Sequence, residues 1–302
     1  MRGIFFSILI LLGTSVFSQT PDHLPIPGTR CSIIPPSGFV AAPNFSGFQQ
    51  DDAQSTIMVT QLAAPYSKII EGLSAENLAK KSMSLISKQT LEYNGTEAIS
   101  MKVSQEANGQ VFLKEMLVFG YESITIMVVG SYPEAYKSVE SAVHEAIFTT
   151  IYNIQQDDDP LAAARFTIDV SGYGFKLDRS VSGLISYKMD DLKPTRQPTL
   201  VAAESVGRIS YPDLKQYSIN RLKQLPGHAQ AQIKEVNPIT VDSLTGYEII
   251  AYNRRGSILE QTYQVMLYND NKGYFIIAGQ AKENHESNLL LFRKIAASFK
   301  RK

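Results

Sequence analysis

Residues 37–48 read SGFVAAPNFSGF and residues 173–184 read YGFKLDRSVSGL, so a Gly-Phe pair followed by Ser-Gly eight positions after the glycine occurs twice, 136 positions apart. An internal repeat constrains a fold more than composition does, because each copy must bury the same apolar pattern in the same way. The correspondence continues in order. Ile57-Met58-Val59-Thr60 matches Leu200-Val201-Ala202-Ala203 at an offset of 143, and Leu73-Ser74-Ala75-Glu76-Asn77-Leu78 matches Ile209-Ser210-Tyr211-Pro212-Asp213-Leu214 at 136. Both stretches lead into helical spacing, with Leu78, Ser82, Leu85 and Ile86 on one face in the first copy and Leu214, Ser218, Leu222 and Leu225 in the second. Ser74 and Ser210 stand at the N-cap positions, where a hydroxyl accepts an orphan amide, and Pro212 suits a first helical turn.

Farther on, Gly95-Thr96-Glu97 aligns with Gly246-Tyr247-Glu248 at an offset of 151, each at the start of a strand. Residues 110–119 and 257–268 supply the returning strand of a hairpin. The apolar runs 124–129 and 274–278 suit central strands covered on both faces. Val143, Ile147 and Ile151 correspond to Leu291, Ile295 and Phe299 at 148, spaced by four like the buried stripe of a closing helix.

The sequence therefore predicts an α+β fold of two similar domains, each an antiparallel sheet flanked by helices. The expected division is a signal peptide over 1–18, an extended N-terminal arm over 19–28, one repeat over 29–154, an acidic linker over 155–163 and a second repeat over 164–302. Arg2, the apolar run 4–12 and Val16-Phe17-Ser18 carry the signal expectation, and the run is too short to span a bilayer. The linker reading rests on Gln155-Gln156-Asp157-Asp158-Asp159-Pro160, whose aspartates lack the alternation of a calcium loop. The second repeat, with longer insertions over 188–197 and 225–238, is expected to carry the more elaborated surface.

In the order of its elements, in Gly38-Phe39, the helix at Ser74, Gly95-Thr96-Glu97, Val128-Val129-Gly130 and the last helix, each repeat resembles the PsbP-like fold. That fold is shared by extrinsic subunits of the photosystem oxygen-evolving complex, by a Ran-binding import factor and by secreted bacterial proteins of unassigned function. The resemblance implies an α/β/α sandwich and a role in docking onto a larger assembly. It implies no metal ligand or partner-binding residue, because no motif matches position by position.

The chemistry-bearing residues are sparse. No two glycines are four or five apart, which removes G-x-S-x-G and the P-loop, and no Ser-x-x-Lys occurs. Gly172-Tyr173-Gly174 lacks the third glycine of a dinucleotide fingerprint and reads as a turn. His23, His144, His228 and His285 are far apart, so no helical zinc pair forms, and His144 falls beside an apolar stripe as a partly exposed or hydrogen-bonded side chain. Cys31, the single cysteine, cannot form an internal disulfide and reads as buried structure. Glu97 and Glu248 fall at matching places and read as strand-start polar groups rather than as an acid–base pair.

The formal net charge of zero offers no general field for nucleic acid. Arg254 and Arg255 at a hairpin tip, with Tyr263 on the returning strand, form the candidate partner surface, and Lys300-Arg301-Lys302 is a second basic cluster. Fifteen tyrosines and no tryptophan, most of the tyrosines in the second copy, serve core edges or a recognition surface. The sequence thus predicts an exported, periplasmic or extracellular, non-catalytic protein. Its role would be a binding or assembly module for another envelope or secreted protein, with no cofactor and no metal. The alternatives are a carrier of a small or lipidic ligand in an apolar pocket, and an enzyme with no recognisable motif.

Overall fold

The computed structural model describes residues 20–302 apart from 108, 122, 157, 182, 190–196, 207–211, 226 and 271–272, and the side chain of Arg255 is also outside the description. The expected signal segment therefore lies outside the described residues. The first copy contains β1 (Leu24–Pro25), β2 (Cys31–Ile33), β3 (Val40–Ala41), β4 (Gly47–Gln50), β5 (Ser55–Leu62), α1 (Tyr66–Glu71) and α2 (Ala75–Ala79). It continues through β6 (Met83–Tyr93), β7 (Thr96–Ala107), β8 (Gln110–Gly120), β9 (Thr125–Pro133), α3 (Glu140–Ile147) and β10 (Ile151–Tyr152). The second contains β11 (Phe166–Thr167), β12 (Phe175–Val181), β13 (Leu184–Met189), β14 (Thr199–Glu204) and α4 (Leu214–Lys223). It ends with β15 (Gln232–Val241), β16 (Leu244–Arg255), β17 (Ile258–Tyr268), β18 (Tyr274–Ala281), α5 (His285–Ala297) and β19 (Lys300–Arg301).

Two seven-stranded antiparallel sheets result, ordered β3-β4-β5-β9-β8-β7-β6 and β12-β13-β14-β18-β17-β16-β15. The two paths are the same, so the fold is α+β with two similar domains. The opening echo marks the turn into each first strand. Gly38 (φ +82°) and Gly174 (φ +76°) take the left-handed conformation, while Phe39 and Phe175 enter the two main cores.

Strand pairing corrects part of the sequence alignment. Tyr93↔Thr96 closes β6–β7 as Val241↔Leu244 closes β15–β16, and Ala107↔Gln110 closes β7–β8 as Arg255↔Ile258 closes β16–β17, which fixes an offset of 148 through these strands. The turns need two residues with positive φ, supplied by Asn94-Gly95 in one copy and Asp242-Ser243 in the other. Gly246 is therefore not the counterpart of Gly95, and Glu97 and Glu248 do not occupy equivalent positions. The match of β5 to β14 at 143 holds, since Ile57↔Gly130 mirrors Leu200↔Gly279.

The closing helices show why those two glycines recur. A Cβ on Gly130 would lie 2.2 Å from Val143 Cγ1, and one on Gly279 would lie 2.5 Å from the Phe292 ring. Each helix thus rests directly on the backbone of a central strand. The buried stripes are Val143, Ala146 and Ile147 in α3 and Phe292, Ile295 and Ala296 in α5. The helical offset is accordingly 149 rather than 148, and Leu291 is not the buried counterpart of Val143.

Local signals account for other departures. The helix expected through Ile86 ends at Ala79, and β6 begins at Met83 after Ser82 adopts φ +57°. Ser74 does cap α2, accepting from Asn77 N at 3.2 Å. Asp213, not Ser210, caps α4, accepting from Gln216 N at 2.9 Å, and Ser210 lies outside the described residues. Residues 232–238 are no insertion but part of β15, the counterpart of β6; most of the other expected insertion falls in the undescribed 190–196. The arm and linker are exposed along much of their length and are also tied to the first copy. Leu24 pairs with Ile33, Asp158 forms an ion pair with Arg30 at 3.1 Å, and Gln61 Nε2 donates to Asp158 at 3.0 Å.

Candidate functional site

A hollow of about 460 Å³ opens at one end of the first sheet, lined by Pro65, Tyr66, Ser67, Thr96, Gly120 and Tyr121. It is built where α1 crosses the ends of β7 and β8. Thr125 Oγ1 donates to Ala64 O at 2.8 Å and fastens the segment leading into α1 to β9. Gly120 is required at the floor, because a Cβ there would lie 2.8 Å from Ile124 O and 3.0 Å from Tyr66 Cβ. Tyr121 stands at the opposite wall with its ring 5.1 Å from that of Tyr152. Burial pushes the Tyr66 phenol pKa up, and the carboxylate of Glu97, which follows the lining residue Thr96, pushes it the same way. The Tyr66 hydroxyl is buried and finds no hydrogen-bond partner among the described residues. Two tyrosine rings beside an exposed carboxylate suit an inserted side chain that is apolar along its length and ends in a cation.

At the matching strand position the second copy carries a tyrosine. Gly120 pairs with Thr125 as Tyr268 pairs with Tyr274, which makes Tyr268 the counterpart of Gly120. The Tyr268 hydroxyl donates to Leu214 O at 2.9 Å and lies 2.6 Å from Ser218 Oγ, and its ring is 6.3 Å from that of Tyr274. Burial raises its pKa to about 12. Tyr217 packs edge-on against Tyr274 at 5.8 Å, and Arg221 Nε donates to the Tyr274 hydroxyl at 3.2 Å. The open recess lies on the first copy, and most of the 188–197 insertion on which the expected surface of the second rests falls outside the described residues. No sequence signal marked the recess, since its floor is defined by the side chain that Gly120 lacks.

Titratable groups also gather beneath the closing helices. In the first copy Lys102 on β7 bridges Glu115 on β8, at 3.3 Å, and Glu140 on α3, while His144 Nδ1 lies 3.4 Å from Glu115. His144 is half-exposed against Phe148, as its place beside the stripe predicts. In the second copy Arg293 on α5 donates to Glu248 on β16 through two bonds of 2.7 and 3.0 Å. Burial acts to raise the Glu248 pKa, and the hydrogen bonds and charge of Arg293 outweigh it, leaving the carboxyl below its ordinary value. These are paired charges joining helix to sheet. Among the described residues no group of three or more His, Cys, Asp or Glu could hold a metal ion.

The surface expected at Arg254, Arg255 and Tyr263 is not one surface. Arg254 is exposed near the hairpin tip, and the Arg255 side chain lies outside the described residues. Tyr263 is 0% exposed and stacks on Phe292 with ring centroids 6.1 Å apart, because its position on β17 faces the closing helix. Cys31 is fully buried and its thiol pKa is pushed up to about 12 by burial, which suits a structural role. The terminal cluster is tethered: Arg301 Nε donates to Asp242 at 2.8 Å, and Lys302 Nζ donates to Leu161 O at 3.2 Å. His228 is fully buried, with Nε2 2.9 Å from Thr262 Oγ1 and 3.5 Å from Glu260 Oε1.

No family model and no curated protein matches the chain. Similar solved structures include LpqN, involved in cell envelope biogenesis of Mycobacterium tuberculosis, at 16% identity over 43% of this chain and 78% of that one, with a TM-score of 0.35. Another is cyanobacterial PsbP (CyanoP) from Synechocystis, at 12% identity over 50% of this chain and 100% of that one, TM-score 0.30. A third is the T6SS immunity protein TplEi of Pseudomonas aeruginosa complexed with "L" peptide, at 10% identity over 94% and 99%, TM-score 0.31. A PsbP thus stands among the similar structures, as the sequence resemblance anticipates, and the α+β fold itself rests on the two sheets described above. No residue of these proteins is carried onto this chain. Among the described residues no helix is long and apolar enough to cross a membrane.

Proposed function

We propose that this chain is an exported, non-catalytic binding module that docks another envelope or secreted protein, with the Tyr66–Tyr121 recess of the first repeat (29–154) as its recognition point. The observation that carries this reading is the difference between the copies: one scaffold, built twice, has a recess over Gly120 and a tyrosine, Tyr268, at the matching strand position. A fold needs no such opening for its own packing. Tyrosine walls suit a protein partner because their rings offer large, rigid contact area at low entropic cost, and Glu97 nearby favours a partner side chain that ends in a cation.

The test is affinity capture from envelope extracts with the wild-type chain and with Tyr121→Ala and Ser67→Arg, two changes at exposed or half-exposed lining positions that leave the core intact. A protein recovered by the wild type and lost by both variants is the expected result. Equal recovery by all three overturns the recess as the docking point. A small molecule or lipid that copurifies with the wild type and is displaced by Ser67→Arg replaces the docking role with the carrier reading.

A further inference from the structure

The two sheets end in equivalent edge strands, β6 and β15, and the two edges are finished differently. Each carries a bulge at the same place, between Leu85 and Ser87 in β6 and between Ile233 and Glu235 in β15. The extra residue is Ile86, 53% exposed, in the first copy and Lys234 in the second. Thr90 pairs with Ile99 as Pro238 pairs with Tyr247, so the residue in register with Pro238 is Thr90. Proline within a sheet sits where the missing N–H would have pointed away from the neighbouring strand. The Thr90 N–H therefore points outward, and with it, by the two-residue period, those of Lys88 and Glu92. A proline and a bulge lysine blunt the second edge against strand addition, and the first edge has neither device.

What fits the open edge follows from its charges. Lys88, Thr90 and Glu92 are exposed along one face of β6. A two-fold axis through Thr90 sets a second β6 antiparallel to the first with Lys88 opposite Glu92, Thr90 opposite Thr90 and Glu92 opposite Lys88. On the other face it sets Gln89 opposite Leu91 and Ser87 opposite Tyr93. Each outward-facing pair exchanges two backbone hydrogen bonds. Opposite charges and paired threonines are both favourable cross-strand neighbours, and no like charges meet. We infer that β6 is a self-complementary edge through which two copies of this chain pair, joining their first sheets into one continuous sheet. This edge is distinct from the recess, and the inference does not depend on the function proposed for it.

Sedimentation velocity over a concentration series tests the pairing, with folding checked by near-ultraviolet circular dichroism and thermal melting. The wild type is expected to dimerise reversibly. Thr90→Pro should fold as the wild type does, since the second copy holds proline in that register, and should weaken the dimer by about tenfold or more through the lost bonds. Lys88→Glu, which sets like charges opposite each other twice, should weaken it by roughly tenfold, and Lys88→Glu with Glu92→Lys should restore it. A chain monomeric at every concentration overturns the inference. So does a dimer indifferent to Thr90→Pro and Lys88→Glu, and a double variant that stays as weak as Lys88→Glu overturns the register.

Discussion

Where β8 of the first sheet ends in Gly120 the matching β17 ends in Tyr268, where the first copy sets a strand lysine, Lys102, between Glu115 and Glu140 the second sets a helix arginine, Arg293, between Glu248 and Glu235, and where the first edge has Thr90 the second has Pro238. The elements around these places are the same. Seven strands in one order and a helix lying on a central-strand glycine recur in both copies, and the substitutions fall at the sheet end, beneath the exposed side of the helix and along the edge. Packing of helix on strand is the part of the pattern that admits least variation, because close-packed interiors answer even a methyl group with strain. Surfaces and rims admit more, and there one copy keeps a glycine where the other carries a tyrosine.

The strongest test of that shared scaffold is the pair of glycines. Gly130→Ala and Gly279→Ala should each cost about 2 kcal/mol in chemical denaturation, since the new methyl meets Val143 Cγ1 or the Phe292 ring rather than a flexible tip. Val143→Ala should offset part of the Gly130→Ala cost, with a coupling energy of about 1 kcal/mol, because it removes the clashing methyl. Gly130→Ala and Gly279→Ala, in separate cores, should add within about 0.5 kcal/mol. Strong coupling across the copies would break the picture of two independently packed sheets.

The ion pairs sharpen the contrast. Arg293→Met leaves the Glu248 carboxylate nearly buried without its bidentate partner, and should cost about 2–3 kcal/mol, below the full range for buried pairs because Arg293 is partly exposed. His144→Ala, its counterpart on α3, should cost less than about 1 kcal/mol, since Lys102 still neutralises Glu115 at 3.3 Å. The pH dependence has a definite sign. The folded Glu248 pKa lies below the ordinary 4.5, so its contribution is fully present above that value and is lost as pH falls through the folded pKa. The stability gap between wild type and Glu248→Gln should therefore be constant near neutrality and shrink with acidification below about pH 4.5. A gap that widens on acidification would contradict the pairing.

Much of this architecture was legible in the chain, and the misreadings share a cause. Gly38-Phe39 and Gly174-Phe175 were readable because positive φ and a core aromatic leave residue-level signatures. The β5–β14 match was readable because both strands are apolar on a buried face. Glu97 and Glu248 match by sequence because a glycine stands two residues before each, yet the turns before their strands use Asn94-Gly95 in one copy and Asp242-Ser243 in the other, which makes that match a three-residue slip. Leu85 and Ile86 fit a helical face as well as a strand with a bulge, and spacing alone cannot separate the two over so short a run. The recess left no trace, being the space above a glycine. Tyr263 is surface or core according to which face of β17 meets α5, and the sequence carries no mark of that face.

The smallest expected effect concerns the recess and the tyrosine at the matching strand position. Tyr268→Ala removes a ring packed against Tyr274 and a hydroxyl bonded to Leu214 O and Ser218, and should cost about 1–2 kcal/mol. Tyr121→Ala removes a half-exposed ring from an open wall and should cost about 0.5 kcal/mol or less. If Tyr121 is as costly to remove as Tyr268, the recess wall is part of the core and the asymmetry has no functional reading. If Tyr121→Ala is nearly neutral for stability and still abolishes capture of the partner, the ring is maintained for contact with another molecule. Tyr268→Ala should destabilise the second copy without creating a second docking point, because the opened space is walled by Ser218 and the Tyr217–Tyr274 pair and carries no counterpart of the Tyr66 phenol beside Glu97.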